Sequence, residues 1–189
     1  MRTSQNQNQD AVSDEQLAES AQDGDVASFE LLVTRYEKRI YSFIRNRIGH
    51  STDAEDLAQQ TFVAAYKNIH RFDHKYRFTT WIYTIARRLA ISHYRRQRPT
   101  DEVDPALPDQ RPDPEASVTE KDEREVVWSI AREELKETYF TALWLCYREG
   151  MSVRQIATAM DKTQVHVKVI LHRARQKLGN ALRERGVER

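Results

Sequence analysis

All five prolines of this 189-residue chain, Pro99, Pro105, Pro108, Pro112 and Pro114, fall within one short stretch. Proline fixes φ and removes an amide donor, so neither a long helix nor an inner strand crosses such a stretch. The stretch is also poor in large apolar residues and crowded with acids. From 99 to 125 ten acids face only Arg111, Lys121 and Arg124, a net of −7. Proline and mutual repulsion hold a chain extended, which predicts a flexible acidic linker over residues 99–124. The linker separates two folded parts, 12–98 and 125–185, and a disordered N-terminus, 1–11, precedes the first.

Both parts read as helical. Ser13-Asp14-Glu15-Gln16 is a capping-box pattern that opens a helix, and Gly24 interrupts it before a second. Phe29, Leu32, Val33, Tyr36, Ile40, Phe43, Ile44 and Ile48 recur at helical spacing up to Gly49. Thr52-x-x-Glu55 is expected to cap a third helix, with Leu57, Ala58, Thr61, Phe62, Ala65, Tyr66 and Ile69 on one face. A fourth is expected from about Thr80, with Trp81, Ile82, Ile85, Ala86 and Leu89 inward. After the linker come helices starting near Val126 and within "YFTALWLCY". Ser152-x-x-Gln155 then caps a short helix, "DKT" makes a tight corner, and a long basic helix carries Val165, Val167, Val169, Ile170, Leu171 and Leu178. No stretch sustains period-two alternation, so the fold class is all-α: two small helical domains. Two helices joined by about three residues, the second basic, form a helix-turn-helix pattern; an ordinary helical hairpin is its plain competitor.

The charge pattern narrows the partner. The formal net charge is only +1, yet residues 67–98 carry nine basic residues against Asp73, and residues 161–185 carry seven against Asp161 and Glu184. Two basic segments flanking an acidic one point to a polyanion, although a solvated charged face is the bland alternative. Within the first basic segment "KYRFTTWIYTIARR" interleaves Tyr76, Phe78, Trp81 and Tyr83 with Lys75, Arg77, Arg87 and Arg88, whereas a purely core-filling helix would separate rings from charges. Stacking an exposed base on a ring returns about 1 to 3 kcal/mol, comparable with the roughly 1.4 kcal/mol cost of parting one base-pair step. Rings beside cations therefore suit capture of a separated strand.

Other classes find little support. The single cysteine, Cys146, forms no internal disulfide and supplies no metal cluster, and the six histidines lack ligand spacing. No cofactor or metal is expected. No apolar run approaches the roughly 20 residues that span a bilayer, and the first residues lack a secretory signal's apolar stretch, so the protein is expected in the cytoplasm, with no membrane partner. Nucleophile–base pairs and Gly-rich phosphate loops are also missing, and no enzymatic activity is assigned.

With both segments in view the chain resembles a bacterial RNA polymerase sigma factor of the small, two-domain extracytoplasmic-function (ECF) group of the sigma-70 family. "GDVASFELLVTRYEKRIYSFI" is similar to the opening segment and region 2.1, "DAEDLAQQTFVAAYKNI" to region 2.2, "RFDHKYRFTTWIYTIARRLAISHYRR" to regions 2.3 and 2.4, and "EGMSVRQIATAMDKTQVHVKVILHRARQKL" to region 4.2. The resemblance runs from about Asp14 to Leu182, with only a few residues after it, so no extra C-terminal regulatory domain is expected. It implies a region 2 helical bundle and a region 4 helix-turn-helix joined by the linker, and a dissociable subunit that binds core polymerase, recognises a two-part promoter and promotes strand opening.

The resemblance also implies sites. Phe72, His74, Lys75, Tyr76, Arg77 and Phe78 would capture a flipped minus-10 base, with Arg87, Arg88, Arg95 and Arg96 along the following helix. Phe72 and Phe78 serve the core as readily as the strand, and Trp81, in phase with Ile85 and Leu89, is read as core. Thr163, Gln164, His166, Val167 and Lys168 would read the minus-35 duplex, with Arg173 and Arg175 on phosphates or covering neighbouring helices. Asp53, Asp56, Gln59 and Gln60 would meet the coiled coil of the polymerase's largest catalytic subunit, although acids in a first helical turn are also explained by the helix dipole. The second domain would meet the flap region, the acidic linker would run near the active-site cleft, and an anti-sigma factor is a common partner in the group. The chain departs from the family pattern at Gln60 (usually Glu), Arg88 and Ser92 (Asn and Asp), Asp161 (the turn Gly), Val165-His166 (Gly-Thr) and Ile170 (Arg). Two rivals stay open: a helix-turn-helix regulator acting on duplex DNA without polymerase, and a helical protein-binding adaptor.

Overall fold

The computed structural model describes residues 12–97 and 123–187; the expectations for residues 1–11 and for nearly all of the linker lie outside them. The described residues are all-α, with two helical sub-bundles joined by a linker. The first holds α1 (Asp14–Gln22), α2 (Val26–Ile48), α3 (Ser51–Lys67), a 3-10 turn (Ile69–Arg71) and α4 (Phe78–Gln97). The second holds α5 (Glu123–Glu134), α6 (Glu137–Tyr147), α7 (Val153–Met160) and α8 (Gln164–Glu184).

In the first, α2 is the central helix, packed against α1, α3 and α4. Leu32, Tyr36, Ile40, Phe43 and Ile44 recur every three or four residues and are all buried, meeting Leu57 and Ala65 of α3 and Phe78, Ile82 and Tyr83 of α4. Full burial of each large apolar side chain stabilises by about 1.5 to 3 kcal/mol, so this stripe rather than helix propensity fixes the bundle. Within the α2 stripe the buried Tyr36 hydroxyl is satisfied: it meets Asp14 and, at 2.6 Å, Thr79. Burial, reinforced by Asp14, pushes that hydroxyl's pKa far above the ordinary tyrosine value.

The Ser13 capping box forms as expected, with the Gln16 amide donating to Ser13 Oγ and the Ser13 amide donating to Gln16 Oε1. The expected Thr52 cap does not. Helix α3 begins at Ser51 after His50, whose side chain makes no capping bond. Helix α4 begins at Phe78 rather than Thr80, because Glu15 of α1 accepts a hydrogen bond from the Phe78 amide at 3.1 Å. A carboxylate on one helix thus satisfies a free donor at the N-terminus of another, with the favourable sign for the dipole.

In the second sub-bundle Trp128, Phe140 and Trp144 stack with centroids 5.0 to 5.8 Å apart. The Ser152 capping box opens α7. Asp161 then takes the left-handed conformation at φ 54°, ψ 54°, which turns the chain, and Thr163 Oγ1 accepts from the His166 amide at 3.2 Å to open α8. Aspartate tolerates this backbone better than most side chains, so the missing turn glycine is accommodated.

The sequence predicts two separate parts; the structure packs them face to face. Helices α4 and α7 are in contact, and Phe43 lies 6.2 Å from Trp144. Around this seam Arg47 donates to Glu137 at 2.6 Å and also reaches Thr141. Arg39 Nε donates to Glu149 at 3.1 Å, and Trp144 Nε1 donates to the other Glu149 oxygen at 3.3 Å. Beside the seam an open groove of about 1010 Å³ has Trp128, Trp144 and Leu178 in its lining and Lys38, Arg148 and Arg175 among its charged residues.

Candidate nucleic-acid interface

The loop from Phe72 to Arg77 is built from its floor upward. Phe72 lies 5.8 Å from Phe78 and 5.5 Å from Trp81, and Phe78 lies 5.7 Å from Trp81 and 5.3 Å from Tyr36. Phe72 is 4% exposed and Phe78 is fully buried, so neither ring offers a face to a base. This corrects the sequence reading for both: their apolar area is spent on holding the loop against the bundle. The floor is tied down from α1, where Gln22 Nε2 donates to the carbonyls of Ile69 and Phe72, both at 2.9 Å, and Gln22 Oε1 meets His74 Nε2 at 2.6 Å.

On that floor sits a tight turn. Asp73 accepts from the Lys75 amide through its side chain at 3.0 Å and from the Tyr76 amide through its carbonyl at 2.9 Å. Such an Asx-type turn throws the next side chains outward. Tyr76 is 45% exposed, flanked by exposed Lys75 and Arg77. The mixture of rings and charges therefore sorts by height: Phe72, Phe78 and Trp81 below, Tyr76 and the cations above.

Beyond the loop, Arg88, Arg95 and Arg96 are exposed on α4, at spacings of seven and eight residues that bring them to one face. Arg87 departs from the expectation. It is half-buried near Glu137 and Arg47 at the seam, and its Nε is enclosed without a hydrogen-bond partner. Burial draws its pKa below the ordinary arginine value, opposed by the Glu137 carboxylate. In this arrangement Arg87 is withheld from any strand that follows Arg88 and Arg95.

On α3, Asp56, Gln59 and Gln60 are exposed along one side, and Val63, 53% exposed, continues the same stripe. Asp53 is turned aside toward α4, with Oδ2 3.4 Å from His93 Nε2. In the second sub-bundle Gln164, His166, Lys168 and Arg173 are exposed on α8. Thr163 is engaged as the helix cap. Val167 is fully buried, which corrects its place among base readers: it is a core residue of the helix-turn-helix. Arg175 is directed to α6, donating to the Tyr147 hydroxyl at 2.7 Å with its guanidinium 5.7 Å from that ring, a bond that raises its pKa. The sequence reading passed over Gln22 and Glu15, whose roles depend on tertiary contact, and over Val63, an isolated apolar residue on a polar face.

Among the described residues no group of His, Cys, Asp and Glu is arranged to hold a metal ion, and no helix is long and apolar enough to cross a membrane.

This arrangement has known relatives. Residues 32–100 match the family Sigma-70 region 2, and residues 131–178 match Sigma-70, region 4. The chain is 35% identical over 182 residues to the RNA polymerase sigma-H factor of Pseudomonas aeruginosa, covering 89% of this chain and 93% of that protein. It is 29% identical over 179 residues to the ECF RNA polymerase sigma factor SigW of Bacillus subtilis, covering 85% and 92%. The fold resembles that of CnrH, solved in complex with the cytosolic domain of CnrY, with a TM-score of 0.68 at 23% identity over 90% of this chain and 97% of that one. Two matched regions in order, on a helical frame of the same shape, lead to one conclusion: the chain belongs to the ECF group of the sigma-70 family, and it is a sigma factor, not an enzyme, that directs RNA polymerase to promoters.

Proposed function

We propose that this sigma factor opens the minus-10 region by trapping a separated base at the Asp73–Arg77 turn, with Tyr76 as the ring and Lys75, Arg77, Arg88, Arg95 and Arg96 on the strand's phosphates. The observation that carries this is the half-exposed Tyr76 ring raised on an aromatic floor between two exposed cations, Lys75 and Arg77, each held only by a long ion pair, to Asp73 at 4.0 Å and to Glu15 at 3.4 Å. A rigid platform loses little entropy when a base stacks on it, and neighbouring cations offset phosphate repulsion. The exposed α8 residues Gln164, His166, Lys168 and Arg173 read and hold the minus-35 duplex.

The stripe of Asp56, Gln59, Gln60 and Val63 docks on the coiled coil of the polymerase's largest catalytic subunit, with the second sub-bundle at the flap. Its polar ends and apolar Val63 fit the usual make-up of an interface. The groove beside Trp128 and Trp144, whose lining joins apolar side chains to Lys38, Arg148 and Arg175 and to the Arg39–Glu149 ion pair, suits an acidic amphipathic helix of an anti-sigma factor. The two functional domains are taken as 12–98 and 125–185, separated by an acidic linker that passes the active-site cleft, and the site of action is the cytoplasm.

The deciding experiment is run-off transcription with bacterial core polymerase on a genomic library, followed by sequencing of RNA starts. A two-part motif upstream of those starts is expected. Tight duplex binding without core polymerase, and no association with it, would favour a stand-alone regulator instead.

A further inference from the structure

Two valines on α8 face water where a helix of this kind has no reason to expose them. Val165 is 73% and Val169 40% exposed, although Val167, Ile170, Leu171 and Ala174 of the same helix are buried. Valine is also a poor choice for an exposed helical position, because its branched side chain loses rotamer freedom there. At 3.6 residues per turn Val165, Val169, His172 and Gln176 fall within about 60° of arc, so the valines lie at the centre of the exposed face. Lys168 borders this strip on one side, and His166 and Arg173 border it on the other. Acids are missing from the exposed part of this face, since Asp161 and Glu184 sit at the ends of the segment.

A helix in a major groove points its central residues at base edges and its flanking residues at phosphates. Flanking cations with an apolar centre therefore match a duplex whose groove floor is itself partly apolar. The one apolar group that standard bases present there is the thymine C5-methyl. We infer that Val165 and Val169 select thymine within the minus-35 element by packing on its methyl groups. The two Cα atoms are separated by about 6 Å along the helix, four residues at 1.5 Å each. That spans about two steps of 3.4 Å along a strand, so the two thymines lie within about two base-pair steps of each other. The inference rests on the minus-35 role of α8 proposed above.

The test uses the full chain assembled with bacterial core polymerase. Promoters are selected from a pool randomised over the minus-35 region, and each thymine of the enriched element is then replaced by deoxyuridine, which deletes only the methyl group. Two nearby positions are expected at which uracil weakens holoenzyme binding about fourfold, the effect of one buried carbon. Val165→Ala and Val169→Ala should each abolish sensitivity to uracil at one of those positions while retaining helicity by circular dichroism. An enriched element without thymine, uracil substitution without effect, or sensitivity that survives both alanine variants would overturn the inference yet leave the minus-35 role standing. Failure to enrich any minus-35 element would remove that role, and the inference with it.

Discussion

Arg47 of α2 and Glu137 of α6, 90 residues apart in sequence, meet at 2.6 Å in the seam between the two sub-bundles. Thr141 accepts from the same guanidinium and also donates to Glu137 at 3.0 Å, which makes a closed three-member network. Arg47 is almost wholly enclosed, so deleting either partner leaves a buried charge uncompensated. Arg47→Ala is expected to lower stability by about 3 kcal/mol and to loosen the docking of the second sub-bundle. Chemical denaturation measures the first effect, and the radius of gyration from solution scattering measures the second. Unchanged values in both would show that the network does not hold the seam.

Acid should act on the same pair. Burial alone would raise the Glu137 pKa, but the Arg47 charge and hydrogen bond, with Arg87 and Thr141, hold it below the ordinary value of 4.5. The unfolded chain then binds the proton first, so this contribution is complete above pH 4.5 and fades as pH falls through the lowered folded value. Wild type should therefore lose more stability than Glu137→Gln between pH 5 and the acid limit, measured by urea midpoints across a pH series. Parallel pH curves for the two would refute the assignment.

Two aromatic substitutions close in sequence should separate cleanly, because one ring is exposed and the other buried. Phe78→Ala removes a fully buried ring and is expected to cost about 3 to 5 kcal/mol of folding stability. Tyr76→Ala removes an exposed one and should change stability by less than about 0.5 kcal/mol. The Tyr76 variant should still bind core polymerase but open promoter DNA poorly, read by permanganate reactivity of unpaired thymines. Equal loss of binding and opening would contradict the platform.

Lys168 and Val167 are neighbours with opposite expectations. Lys168→Ala should leave the fold intact and reduce the slope of log affinity against log salt by about 0.9 if it neutralises one phosphate. Val167→Ala should cost roughly 1 to 3 kcal/mol of stability, through the core. A salt titration of promoter binding and a thermal melt distinguish them.

Asp161→Gly offers a gain. A left-handed residue at φ 54° strains any L side chain, less for aspartate than for most, so glycine should stabilise the helix-turn-helix by up to about 1 kcal/mol. A raised unfolding midpoint is expected; a lowered one would mean that the glycine's extra unfolded-state freedom outweighs the relief.

The particular residues show what could be read in advance. The run from Leu32 through Tyr36, Ile40, Phe43 and Ile44 declares both its helix and its buried face, because burial imposes a period that sequence preserves. The Ser13 and Ser152 boxes are equally legible, since both partners lie within one turn. Phe72 and Phe78 are not, because composition cannot separate a ring under a turn from a ring on top of it. Three valines at 165, 167 and 169 carry a usable signal: residues two apart cannot share a helical face, so one set or the other had to face out. Arg47 and Glu137 look like ordinary surface charges on two unrelated helices, and Glu15 looks like a first-turn acid, until tertiary packing gives each its partner.

The bonds from α1 to the turn carry a last implication. Glu15 fixes where α4 starts and Gln22 pins the backbone beneath Tyr76, yet α1 holds none of the residues assigned to the promoter. A polypeptide clipped ahead of Gly24 would keep every cation of the melting apparatus and lose its mooring, so fidelity at the start site would fail through a segment that never meets a nucleotide.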